Sequence, residues 1–98
     1  MHFEAAQYYA RTCRYDRAIE CYEASYRIEE DSKPRFTDAL YGIMAIYEIQ
    51  GKYDLAVQTC DRILLNLREE WGMTEGVELQ RAQNEKARLL EKARAAAR

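Results

Sequence analysis

Three residues of this chain return at one constant spacing: Tyr9, Tyr15 and Ala18 recur as Tyr47, Tyr53 and Ala56, each 38 positions further on. The first copy reads Tyr9-x3-Cys13-x-Tyr15-x2-Ala18-x3-Tyr22, and the second reads Tyr47-x3-Gly51-x-Tyr53-x2-Ala56. A repeat of this length marks one supersecondary unit used twice. Such a unit is too small to bury its apolar face alone and covers it by stacking on its neighbour.

The unit is helical. Apolar residues recur at steps of three and four, as in Ala18, Ile19, Tyr22 and Tyr26 and again in Leu40, Ile43, Tyr47 and Ile49, the spacing of amphipathic helices. Breakers are confined to Pro34 and to Gly42, Gly51, Gly72 and Gly76. Their positions predict five helices over about 2–12, 15–30, 34–50, 53–70 and 75–96. Gly51 supplies a left-handed helix stop. Asp31-Ser32-Lys33-Pro34 places capping groups before a proline in the first turn of the third helix. Gly72 closes the fourth helix and Thr74 caps the fifth. Short links bring successive helices antiparallel, which makes the fold class all-α.

The repeated residues resemble the tetratricopeptide repeat (TPR), a helix pair with an aromatic late in its first helix, a small residue at the turn, an aromatic opening the second helix and an alanine three residues on. The resemblance implies a single domain over 1–98, with repeat one at about 2–32, repeat two at about 34–71 and a capping helix at about 74–97. It also implies antiparallel pairs stacked as a short right-handed superhelix. Ala18 and Ala56 then let two helices approach closely, while Tyr15 and Tyr53 fill the seams between pairs. Tyr22 matches the family's later aromatic, and Cys60 stands there in the second copy. The period of 38 exceeds the family's usual one by about a helical turn, expected between Ser25 and Lys33. The family's early tryptophan and leucine-glycine step are absent.

The tail has no second helix of its own. Its apolar side, Leu79, Ala82, Leu89 or Leu90, Ala93 and Ala97, suits a helix that covers the last open core face. The stretch Leu64 to Gly72, followed by Thr74 and Glu78, also resembles the end of the bacterial transcriptional activator domain, itself a TPR-like bundle. That resemblance implies a second reading, a TPR-like regulatory segment of a larger bacterial transcription regulator.

Catalytic chemistry finds little to work with. The sole histidine is His2 and the only serines are Ser25 and Ser32, too few for a nucleophile-base arrangement. No two glycines form a phosphate-cradling loop. Cys13, Cys21 and Cys60 are an odd set without metal-ligand spacing, and read as reduced, packed thiols. The acidic runs Glu29-Glu30-Asp31 and Glu69-Glu70 read as solvated charge. These features lead to the expectation of no enzyme activity, no metal and no cofactor.

Hydrophobic residues at 48% and charged residues at 33% give a globular balance. No apolar run approaches the roughly 20 residues of a membrane span, and no signal peptide opens the chain, so a cytoplasmic location without a membrane partner is expected. A net charge of -2 gives no overall reason to expect nucleic acid. The segment from Gln80 to Arg98 nevertheless holds six basic residues against two acidic ones, and reads as a solvated helix face.

What remains is a protein or peptide partner. The TPR resemblance implies binding on the concave face, which the first helix of each pair lines. Carried across position by position, that groove comprises Phe3, Gln7, Ala10 and Arg11 from the first pair, with Asp38, Tyr41, Ala45, Glu48 and Ile49 from the second. Tyr41 and Ile49 would be its apolar anchors, Arg11 and Glu48 its polar ones. The lysines and asparagines with which some relatives clamp a carboxylate are absent. With two pairs the groove is short, which leads to the expectation of a longer array or of a second copy of the chain as a neighbour.

Overall fold

The computed structural model describes residues 2–28 and 32–97. Five helices form: α1 (His2–Arg11), α2 (Tyr15–Ile28), α3 (Asp38–Ile49), α4 (Tyr53–Glu69) and α5 (Val77–Ala96), with no strand among the described residues. Within each of the first two pairs the helices are joined by one and the same turn. The Arg14 N–H donates to the Tyr9 carbonyl and the Lys52 N–H to the Tyr47 carbonyl, both at 2.8 Å. The residue before each donor is left-handed, Cys13 at φ 61° and Gly51 at φ 72°. This is the helix stop in which a trailing N–H satisfies a carbonyl orphaned by the last turn. The spacing of 38 thus holds in the backbone as well as in residue type.

Packing runs from each helix to its chain neighbour, α1 on α2, α2 on α3, α3 on α4 and α4 on α5, with a smaller contact of α1 on α3. Side chains define the layers. Tyr41 meets Arg81, and further along α3 Glu48 meets Arg88 and Lys92, so α3 and α5 lie side by side in the same direction. On the other face Glu23 of α2 meets Arg62 of α4, and Tyr26 meets Asn66. Helices α1, α3 and α5 therefore make one layer, with α2 and α4 making the other. A thickness of 16 Å suits two layers about 10 Å apart.

The core lies between these layers. Ala18 and Ala56 are both 0% exposed, as the close-approach reading requires. Tyr15 and Tyr53 are half-buried and pack against the core. Helix α4 buries Ala56, Thr59, Cys60, Ile63, Leu64, Asn66 and Leu67, a continuous stripe that places it at the centre of the molecule. The spacing of 38 extends into α5: Phe3, Tyr41 and Leu79, like Ala6, Met44 and Ala82, all face the core. Leu89 is the buried member of the Leu89-Leu90 pair and Leu90 is exposed.

Three expectations require correction. The third helix begins at Asp38, not at 34, because the backbone of Arg35 is bonded elsewhere. Its N–H donates to Glu70, while its carbonyl accepts from Asn66 and Trp71, and groups committed to the end of α4 cannot join a helical ladder. The fifth helix begins at Val77 with Gly76, at φ 122°, in the cap position and no side-chain cap, so Thr74 does not cap it. Cys13 is exposed rather than packed, whereas Cys60 is buried and Cys21 is intermediate. The additional turn expected between Ser25 and Lys33 falls partly on residues 29–31, as does the Glu29-Glu30-Asp31 run, and these lie outside the described residues.

Candidate partner-binding site

A cleft of about 240 Å³ opens where the start of α3 faces the α4–α5 connection, lined by Phe36, Thr37, Asp38, Tyr41, Leu67, Trp71, Met73, Glu78 and Arg81. Its position is fixed by the grip on Arg35. The guanidinium makes a two-pronged ion pair with Glu70 at 2.6 to 3.1 Å and lies 3.9 Å above the Tyr26 ring. The Trp71 indole N–H donates to the Arg35 carbonyl at 2.7 Å and the Asn66 amide does so at 3.1 Å. A bidentate pair with little solvent around it is geometrically specific. The hydrogen bonds from Arg35 hold the Glu70 carboxyl below the usual carboxylate range. Glu70 is therefore not the solvated charge that its sequence neighbourhood suggests.

This clamp presents Phe36, 64% exposed, beside Trp71, 38% exposed, with ring centroids 5.8 Å apart. Tyr41 forms another wall, and burial pushes its hydroxyl pKa up. The Arg81 guanidinium covers the Tyr41 ring at 4.3 Å. Asp38 and Glu78, each in the first turn of its helix, have no ion-pair partner among the described residues. A second cleft, of about 200 Å³, lies on the other side of Phe36 among Phe3, Ser25, Asp38 and Ala39.

The groove residues read from the sequence divide into groups. Phe3, Asp38 and Tyr41 gather around Phe36, with Phe3 set edge-on against Tyr22 at 5.6 Å. Gln7, Arg11, Ala45 and Ile49 are exposed, and Ala10 packs partly against the core. Glu48 is committed to α5. It accepts hydrogen bonds from Arg88 and Lys92, at 2.8 Å and 2.5 Å, which hold its carboxyl at about 2. Phe36, Trp71, Glu78 and Arg81 escape sequence reasoning. The lone tryptophan on a connection and the non-periodic Phe36 beside Pro34 were the available signals.

Other chemistry is sparse at these positions. Burial pushes the Cys60 thiol up to about 11, and it donates to the Met44 sulfur at 3.3 Å, the setting of an inert packed thiol. Among the described residues no three metal-ligating side chains converge, and no helix is long and apolar enough to cross a membrane. The basic side of α5 is not simply solvated: Lys86 pairs with Asp61, Arg88 and Lys92 with Glu48, and Arg94 with Glu91. No family model, curated protein or solved structure matches the chain.

Proposed function

We propose that this chain is a non-catalytic interaction scaffold, a TPR-like stack of helix pairs that holds a peptide or a partner protein on the face formed by α1, α3 and α5. The observation that carries the reading is the cleft between α3 and α5. Its aromatic rings are partly open to solvent although the backbone that presents them is clamped. Exposed aromatics on a rigid mount are the residues from which partner-binding hot spots are made. The TPR-like superhelix is supported by the shared left-handed turns, by the buried alanines and by the continuation of the register into α5.

The reading is tested by selecting binders from a displayed library of randomised peptides and repeating the titration with Phe36→Ser and Tyr41→Ala. Peptide affinity should fall by at least about tenfold, the scale of losing a buried aromatic anchor. Phe36→Ser should lower the thermal midpoint only slightly, since its ring packs on Trp71 but is mostly in solvent. Tyr41→Ala should keep the helical circular dichroism signal at a lower midpoint. Unchanged affinity in both variants would move the site away from this cleft.

A further inference from the structure

We infer that the cleft between α3 and α5 takes a basic side chain of an extended peptide, seated among Phe36, Tyr41 and Trp71 and held by Asp38 and Glu78. The inference rests on the proposed reading of this cleft as a partner site and adds the chemistry of the partner. Three observations support it. The first is charge: two carboxylates and one guanidinium line the cleft, and neither carboxylate is paired among the described residues. An incoming cation meets attraction there, whereas an incoming anion meets two carboxylates for one arginine.

The second is the nature of the walls. Three aromatic rings converge on a space of about 240 Å³, and aromatic faces attract cations through their quadrupoles. The third is that the chain has already placed such a cation. Arg81 lies over Tyr41 at 4.3 Å, which shows that the cleft accepts a planar guanidinium against a ring. Arg81 occupies the Tyr41 face, while the Phe36–Trp71 pair forms the more solvent-exposed wall of the cleft. The two carboxylates stand at the first turns of two different helices of one layer, α3 and α5, so they approach the space from two sides. Apolar residues flanking the basic one in the peptide would rest on Phe36 and Met73.

The same displayed library supplies the test, followed by titration of a selected peptide against its twin in which the basic residue is replaced by neutral citrulline. Trp71 is the only tryptophan and reports binding by its fluorescence. The selection should enrich arginine or lysine, and the citrulline twin should bind about tenfold more weakly, the sum of cation-ring and exposed ion-pair effects. Asp38→Asn combined with Glu78→Gln should reduce the basic peptide to the affinity of its twin. Arg81→Ala should strengthen the basic peptide about threefold to fivefold by freeing the Tyr41 ring. Binding that is indifferent to citrulline, or acidic peptides that weaken on Arg81→Ala, would overturn the inference. If those peptides still need Phe36 or Tyr41, the interaction site itself stands. If none does, the reading of the cleft as a partner site falls as well.

Discussion

Cys13 and Gly51 do the same work with different side chains, which makes them a controlled comparison of residue and backbone. Both occupy the left-handed stop between paired helices, a conformation that crowds a Cβ against the following carbonyl. Cys13→Gly should therefore stabilise the chain by about 0.5–1 kcal/mol, and Gly51→Ala should destabilise it by a similar amount. Paired thermal melts decide the matter, and a loss of stability in Cys13→Gly would show that its side chain contributes more than its backbone costs. Gly42 has the opposite constraint, one of space. A Cβ there would lie 2.5–2.8 Å from three carbons of the Tyr22 ring, and Tyr22 is itself buried beneath Phe3. Gly42→Ala should cost about 1–3 kcal/mol by forcing that ring aside. A denaturant midpoint equal to that of the wild type would mean that the ring moves freely. The duplicated turn and the close-packed alanines were legible because the tyrosines and alanines around them recur in register. The role of Gly42 was not, since the contact that demands it comes from another helix.

The elements were legible wherever local sequence decides them. Period and breakers place α1, α2 and α4 to within one or two residues at each end inside the described segments. The start of α3 is decided by tertiary contact. Pro34 suits a first helical turn, yet Glu70, Asn66 and Trp71, more than thirty residues away, take the Arg35 backbone groups. No local pattern reveals that competition, and with it the presentation of Phe36 was hidden. The α3–α5 seam was likewise invisible, although it gives the basic helix its place. Glu48 is a depressed acid, held at about 2 against 4.5 for an unperturbed glutamate by hydrogen bonds from Arg88 and Lys92. A lowered folded pKa contributes stability that is complete above pH 4.5 and lost as the pH falls toward 2. The Arg88 and Lys92 side chains are 42% and 46% exposed, so screening reduces the contribution to about 1 kcal/mol. The thermal midpoint of the wild type should fall more steeply across this acid window than that of Glu48→Gln. Glu70 shifts in the same direction, so the diagnostic quantity is the difference between the two proteins, and parallel slopes would remove the clasp from the account.

At the scale of the whole molecule, the consequence of neighbour-to-neighbour packing is that stability is unevenly distributed. Local opening follows the amount of apolar surface that holds each element. Helix α1 fully buries Ala6 alone, α2 buries Ala18, Tyr22 and Tyr26, and α4 buries a stripe along its whole length. Helix α5 is long but fully buries only Leu79, Ala82 and Leu89, and is tied down besides by ion pairs to α3 and α4. Native-state hydrogen exchange should accordingly be slowest in α4, next slowest in α3, and fastest in α1, with α2 and α5 between. The proposed partner cleft spans the border of the region with most burial, since Tyr41 and Leu67 stand on α3 and α4 while Trp71 and Glu78 sit on the connection and the first turn of α5. A saturating partner should therefore slow exchange chiefly in the 70–81 segment and leave α4 little changed, because α4 is already near the global limit. Uniform protection from α1 to α5 in the free protein would mean that the stack unfolds as one cooperative body, and the graded order argued from burial would be wrong.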